Sequence, residues 1–246
     1  MDLNSNTVLI TGGASGIGFA LAERFLSAGS EVIVCGRREE KLREAQVKYP
    51  NLHIRVCDVS RSAERISLFE WVTRQFPKLN ILVNNAGIQR RFQIAQDSSW
   101  EKIEEELAIN LDAPIHLSTL FIPHLLKQEH PAILNITSGL AFAPMANAPV
   151  YCATKAALRS FTLSLRHQLS ATPISVIEII PPAVNTDLGG KGLHTTGTPL
   201  DEFADAVVDQ LKKGSLEIPY GFAAHSSRAS REELNEMFKR MNQTPR

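Results

Sequence analysis

The chain has 246 residues, 43% hydrophobic and 21% charged, and its 26 lysines and arginines balance 26 aspartates and glutamates. A chain of this length buries about 70–75% of its unfolded surface, so intrinsic disorder and disulfide miniproteins are excluded. Zero net charge supplies no overall field for nucleic acid or an acidic membrane surface, so neither is an expected partner.

Short β-branched runs alternate with longer amphipathic stretches, the pattern of parallel strands joined by crossover helices. Strands are predicted at Thr7 to Thr11, Glu31 to Cys35, His53 to Val56, Ile81 to Val83, Ile133 to Thr137 and Ser175 to Ile180, with a weaker one at Leu216 to Pro219. Helices are predicted between them at Gly16 to Ala28, Glu39 to Tyr49, Ser62 to Phe76, Trp100 to Asn110, Ala113 to Leu126, Val150 to Ser170 and Pro199 to Lys213. Gly29 is a plausible stop for the first helix. The stretch 188–198, rich in Gly and Thr, reads as a loop after the sixth strand and a candidate lid, and the tail from Tyr220 ends in a charged helix, Arg231 to Met241. No linker or repeat interrupts the series, so one domain is expected. The N-terminus lacks the basic and apolar parts of a secretory leader, and no apolar run approaches about 18 residues, so a cytoplasmic protein is expected. Cys35, Cys57 and Cys152 are odd in number and widely separated, without C-x-x-C or clustered His, and read as reduced thiols with no metal site.

Thr11-Gly12-Gly13-Ala14-Ser15-Gly16-Ile17-Gly18 follows the first strand and opens the first helix. Gly12 allows a tight turn, Gly16 lets the backbone approach a pyrophosphate, and Gly18 lets the helix lie against the sheet. Free N–H groups of Ser15, Gly16, Ile17 and Gly18 at the helix start would hold phosphates. A purely structural turn is the alternative. The second strand ends in Cys35-Gly36-Arg37-Arg38. Two guanidinium groups and no acid at that point suit a ribose 2′-phosphate, and so NADP(H) over NAD(H). The competing reading is a solvated helix start neutralised by Glu39 and Glu40. Asp58, followed by Val59, either meets the adenine amino group or caps the next helix.

Tyr151-Cys152-Ala153-Thr154-Lys155 puts a phenol and an ammonium four residues apart, hence on one helix face. Reducing a carbonyl needs a proton donor to the developing alkoxide, and oxidising an alcohol needs the same group as base. Bringing a tyrosine from its ordinary value near 10 to 7 takes roughly 4 kcal/mol, and a nearby cation acts in that direction. Ser138 stands at the end of the fifth strand, where a hydroxyl can hydrogen-bond the substrate oxygen. Read singly, these are a loop serine, a packed aromatic and a solvated lysine; their order behind a glycine turn changes the odds.

These residues resemble the short-chain dehydrogenase/reductase family in its single-domain branch, over almost the whole chain. The family's N-N-A-G stands at Asn84-Asn85-Ala86-Gly87, its helix asparagine at Asn110 and its serine at Ser138. The resemblance implies a Rossmann-type α/β fold, a doubly wound seven-stranded parallel sheet with helices on both faces. It also implies hydride transfer at C4 of a nicotinamide cofactor held partly by Asn84, Ala86, Gly87, Val184 and Thr186. Its tetrad would be Asn110, Ser138, Tyr151 and Lys155. Tyr151 is then the acid/base, Ser138 orients the substrate oxygen, Lys155 binds the nicotinamide ribose and lowers the tyrosine pKa, and Asn110 holds a relay water. A homodimer or homotetramer is implied as well. The sequence departs from the family's P-G-x-V-x-T at Pro181-Pro182-Ala183-Val184-Asn185-Thr186, where Pro182 fixes φ and removes an N–H. Further similarity is to the subgroup named after the oxidoreductase DltE, a label that says little about substrate.

Leu140, Phe142, Pro144 and Met145, with Leu188 and Leu193 on the loop, are expected to line a mostly apolar pocket suited to a small carbonyl compound. Arg90 and Arg91 read as surface charges in preference to anchors for an anionic substrate. The expected function is hydride transfer between NADP(H) and a carbonyl/secondary-alcohol pair. A catalytically silent NADP-binding regulator, an NAD-preferring dehydrogenase of the same fold, and a cofactor-recycling epimerase or dehydratase are the competing readings.

Overall fold

The computed structural model describes residues 1–96, 99–193 and 195–243. Among these residues seven strands make one parallel sheet: β1 (Thr7–Thr11), β2 (Glu31–Gly36), β3 (His53–Val56), β4 (Ile81–Asn84), β5 (Ala132–Ile136), β6 (Ser175–Ile180) and β7 (Glu217–Pro219). Their order is β3-β2-β1-β4-β5-β6-β7. The register explains why the strands are apolar on both sides. Ile33, Leu9, Leu82, Ile133 and Val176 stand in one row across five strands, and Val34, Ile10, Val83, Leu134 and Ile177 in the next. Successive side chains point to opposite faces, so the two rows enter two separate cores.

Leu21 and Phe25 of α1 (Gly16–Ser27), Leu42 of α2 (Glu39–Lys48), and Phe203 and Leu211 of α7 (Leu200–Lys212) cover one face. The other is covered by Leu68 and Val72 of α3 (Ser62–Gln75), Phe121 of α5 (Ala113–Leu125) and Leu165 of α6 (Pro149–Gln168). Each such side chain contributes about 1.5–3 kcal/mol when fully buried. This is the doubly wound arrangement expected from the sequence, and the strand order reverses between β1 and β4, where such sheets bind ligands at their carboxyl ends.

The local differences are instructive. The helix expected over Trp100 to Asn110 is α-helical only as α4 (Trp100–Leu107); it widens into a π turn over Ala108–Asp112 that contains Asn110. A 3-10 turn, Gly139–Ala141, follows β5. The tail carries a short helix that periodicity missed, α8 (Phe222–Ser226), before α9 (Arg231–Met241), whose start is a capping box of Ser230 and Glu233. All three cysteines are free and buried. No helix among the described residues is long and apolar enough to cross a membrane.

Candidate active site

The glycine turn lies at the switch point, and its glycines answer different needs. Gly12 and Gly16 have φ of +62° and +55°, which side-chain-bearing residues rarely adopt. A Cβ on Gly18 would stand 2.3 Å from Asn85 Nδ2 and 2.7 Å from the Gly12 carbonyl. Ser15 is the N-cap of α1, but its side chain caps no amide of the first turn. Ser15 therefore leaves the N–H groups of the first turn free, and among the described residues a Cβ at Gly16 would meet only Thr186, whose methyl stands 3.4 Å away. A turn with free donors and no side chain in the way is what a pyrophosphate needs.

The turn is clamped from the neighbouring strand end by residues that sequence reasoning passed over. Thr11 Oγ1 accepts the N–H groups of Asn85 and Ala86, each at 3.0 Å, and Asn85 Nδ2 donates to the carbonyls of Thr11 and Gly12. Gly13 is equally tight, since a Cβ there would meet Val34 at 2.5 Å. Asn84 points elsewhere. Its Nδ2 donates to Ser118 and Asn135 inside the sheet, so its side chain is held away from the ligand edge. Gly18→Ala is expected to lower stability by about 1–3 kcal/mol through overpacking against Asn85. An unchanged urea midpoint would show that the turn is looser than drawn.

Arg37 and Arg38 flank the end of β2, where nothing lies within 4 Å of a Cβ placed on Gly36. Arg38 Nη2 reaches Ser15 Oγ at 3.1 Å, bridging to the glycine turn. Arg37 Nη1 pairs with Glu105 Oε1 of α4 at 2.6 Å, and Glu105 also pairs with Arg90. Glu39 is engaged with Arg43, so the neutralisation expected from Glu39 and Glu40 comes from a residue 68 positions away instead. Asp58 does not cap the helix after it: the N-cap of α3 is Arg61, and Asp58 accepts from Ser60 N and Oγ in a local turn. Val59 is buried, its carbonyl accepting from Arg65 at 2.6 Å.

Beyond the switch point the expected proton-handling residues converge. Ser138 lies two residues beyond β5 in an extended conformation, and its Oγ accepts from Leu140 N at 3.1 Å and acts on the Tyr151 phenol. Lys155 stands one helical turn beyond Tyr151, its Nζ 5.7 Å from the ring centre and donating to the Ile136 carbonyl at 2.7 Å. Asn110 Nδ2 donates to Ile88 O at 2.8 Å and Thr154 Oγ1 at 3.2 Å, while its Oδ1 accepts from Ile88 N. The π turn thus ties α6 to the Asn84–Gly87 turn, and a Cβ on Gly87 would stand 3.4 Å from Asn110 Oδ1 and 3.7 Å from Lys155 Nζ.

The electrostatics differ from the sequence expectation. Burial pushes the Tyr151 phenol well above its ordinary value; the Ser138 hydroxyl acts the other way, and the charges of Cys152 and Glu106 add to the rise. Burial also draws Lys155 down to about 8. Among the protein groups alone, desolvation outweighs the help that Lys155 was expected to give the phenolate, because its ammonium is turned to the Ile136 carbonyl.

Leu140, Met145 and Leu188 pack around Ala148, Tyr151 and Cys152 as an apolar wall beside the phenol. Phe142 lies elsewhere: the Arg159 guanidinium sits 4.4 Å over its ring, and Arg159 pairs with the fully buried Glu178 of β6. Pro144 is exposed, and its carbonyl accepts from Asn242 Nδ2 at 3.0 Å while Asn242 Oδ1 accepts from Ala146 N at 2.6 Å. The end of α9 is thereby fastened to the loop before Tyr151. Pro182 rests on Gly221, 3.6 Å from a Cβ there, and α8 packs through Ala223 on Gly139. The proline and the missed helix together support the Ser138 turn. The loop after β6 is pinned at its base, where Val184 bridges Thr198 and Asn185 N donates to Thr198 O at 2.9 Å. Gly189 of this loop lies against the Gln89 carbonyl; the expected lid includes His194, which falls outside the described residues.

The family model described as short chain dehydrogenase matches residues 6–196. The chain is 46% identical over 98% of its length to 98% of the "Uncharacterized oxidoreductase DltE" of Bacillus subtilis (strain 168). It is 34% identical, over 72% of each chain, to the "NADP-dependent 3-hydroxy acid dehydrogenase YdfG" of Escherichia coli (strain K12). A solved short-chain dehydrogenase from Sphingobium yanoikuyae, in complex with NADPH, superposes with a TM-score of 0.80 at 28% identity and 87% coverage of both chains. The matched span takes in the glycine turn, the Asn84–Gly87 turn, Asn110, Ser138, Tyr151 and Lys155, and the chain is an oxidoreductase of the short-chain dehydrogenase/reductase family.

Proposed function

We propose that this enzyme transfers a hydride between NADP(H) and a carbonyl/secondary-alcohol pair, with Tyr151 as acid/base. The observation that carries the reading is the convergence of Ser138, Tyr151, Lys155 and Asn110 beside a donor-rich glycine turn, with Arg37 and Arg38 at the far end of the same sheet edge. The nicotinamide, when bound, supplies or accepts the hydride. Ser138 and Tyr151 hold the substrate oxygen between two hydroxyls, and Tyr151 passes the proton. Lys155 holds the nicotinamide ribose and adds positive charge beside the phenol. The amide hydrogens of Asn110 are already committed to Ile88 and Thr154, so a relay water rests on other atoms near that turn. The backbone of Gly12, Ser15, Gly16, Ile17, Gly18, Ala86 and Gly87 holds the rest of the cofactor with Val184 and Thr186. Leu140, Met145 and Leu188 favour an apolar carbonyl compound, and 188–198 closes over it. The protein acts in the cytoplasm as a homodimer or homotetramer built on α4 and α6, whose Trp100 and Leu163 are exposed apolar residues.

The direct test is loss of NADPH absorbance against a panel of ketones and aldehydes, and NADP⁺ reduction with secondary alcohols. For the cofactor, Arg37→Asp is expected to lower kcat/KM with NADPH by about 10- to 100-fold, the worth of one or two charge-assisted hydrogen bonds, with little change for NADH. One observation favours a second reading: Glu105 already neutralises Arg37. A wild-type enzyme that prefers NADH would establish an NAD-preferring dehydrogenase instead.

A further inference from the structure

Among the described residues three buried side-chain atoms lack a hydrogen-bond partner: Asn84 Oδ1, Glu106 Oε2 and Asn147 Oδ1. Glu106 is the ionisable one of the three. It follows Glu104 and Glu105 in sequence, yet the three neighbours meet different fates. Ile103, Glu106, Leu107 and Asn110 fall on one helical face at i, i+3, i+4 and i+7. Glu104 is exposed, Glu105 turns to Arg37 and Arg90, and Glu106 is completely buried.

The buried carboxyl is held on one side and open on the other. Its Oε1 accepts from Arg90 N at 3.2 Å; its Oε2 has no partner. One turn further, Asn110 takes both polar groups of Ile88. Glu106 and Asn110 together therefore anchor the segment 88–90 beside α6, against which α4 packs. The charged and titratable groups that bear on Glu106 are Arg90 from that segment and Glu105 from α4, while on α6 its own charge reaches Tyr151 and Cys152. Lys155, the cation nearest the phenol, donates to the Ile136 carbonyl. Burial lifts the Glu106 carboxyl to about 7 despite the Arg90 amide and charge, with Glu105 adding to the rise.

We propose that Glu106 is a positioning residue for Tyr151: uncharged, it leaves the phenol free to release its proton, and once ionised its negative charge, buried where α4 packs on α6 one turn before the Asn110–Thr154 contact, opposes the phenolate. The carboxylate does not touch the reacting atoms, and no proton need pass between it and the phenol. In the direction of alcohol oxidation, where Tyr151 must accept a proton as phenolate, the two ionisations oppose each other as pH rises. The wild-type rate therefore climbs later than an enzyme without that charge.

The inference rests on Tyr151 as the acid/base, and the test separates the two. Glu106→Gln keeps the size and an acceptor for Arg90 N but cannot ionise. The rising limb of kcat/KM against pH for alcohol oxidation is expected to move down by about one unit, so that the variant is roughly tenfold faster than wild type at a pH on that limb. A purely structural role would change the height of the profile and leave its position alone. A second variant, Glu106→Leu, removes the charge with similar volume and is expected to move the limb the same way even if its rate is lower. Thermal unfolding supplies an independent readout: Glu106→Gln gains stability over wild type at pH 8 and none at pH 4, because a carboxyl raised from 4.5 to about 7 destabilises the fold only as pH climbs through that interval. If Tyr151→Phe keeps turnover, the acid/base reading fails. If Tyr151→Phe is inactive while both Glu106 variants keep the wild-type limb, or if the stability gain at pH 8 is missing, the role of Glu106 fails alone.

Discussion

Tyr151→Phe is expected to lower kcat by about 100- to 10,000-fold, the usual contribution of a positioned general acid or base, while NADPH binding stays within a few-fold of wild type. The substitution removes one oxygen and keeps the ring. That ring is nearly buried against Ala148, Cys152, Leu140, Met145 and Leu188, all apolar contacts that phenylalanine preserves. Ser138 still accepts from Leu140 N, so the turn after β5 is not released. The glycine turn lies on β1 and α1, clamped by Thr11 and Asn85, and no part of that clamp involves Tyr151. Activity and cofactor binding should therefore separate. The measurements are steady-state reduction of a carbonyl substrate and NADPH fluorescence titration of the same preparation. Undiminished turnover would remove Tyr151 from the chemistry, and wild-type NADPH binding without turnover in the wild type would point to the silent regulator.

Much of this architecture could be read from periodicity because the relevant signals are local. Each strand is a short β-branched run, each covering helix repeats its apolar positions on one face, and the glycine turn sits between the two. Tyr151 and Lys155 are four apart, and helical geometry alone puts them on one side. What could not be read depends on distant partners. Nothing near Arg37 announces that Glu105 will pair with it, since the contact exists only once α4 crosses the ends of the strands. The five residues of α8 are too few to show a period, although they prop the Ser138 turn through Ala223. The widening at Ala108–Asp112 turns Asn110 toward both Ile88 and α6, and a regular helical wheel gives no sign of it. Glu106 lies between these cases. Its phase with Ile103 and Asn110 was available in the sequence, but a glutamate among glutamates draws the eye to solvent. Burial at Tyr151 and Lys155 is hidden for a related reason: four residues' spacing puts the two side by side, but only the fold shows that both groups are desolvated and that the ammonium donates to a carbonyl.

That desolvation leads to the second large effect, a residue whose removal destroys activity and strengthens the fold. Lys155→Met is expected to lower kcat/KM by about 100- to 1,000-fold, because the variant loses both a ribose contact and the charge that must favour the phenolate during turnover. Its stability should move the other way. Lys155 is almost wholly buried, and burial draws it from 10.5 to about 8. A depression of that size corresponds to roughly 3 kcal/mol of unfavourable ionisation in the folded state. Methionine removes this cost and fills similar apolar volume, but it also removes the donor to the Ile136 carbonyl, which gives back about 1–2 kcal/mol. The net gain at pH 7 is about 1–2 kcal/mol, or roughly 2–8 °C in Tm for a chain of this size. The pH dependence identifies the cause. Below about 8 the lysine is charged in both folded and unfolded chains and the full cost is present; as pH rises from about 8 to 10.5 the folded protein sheds the proton first, and wild-type stability recovers. Wild type and variant should therefore differ most at pH 7 and converge, or cross, near pH 10. Denaturant unfolding at the two values decides it, and a variant that is less stable at pH 7, or one whose advantage does not shrink with pH, would mean that Lys155 is not held charged at a cost beside Tyr151.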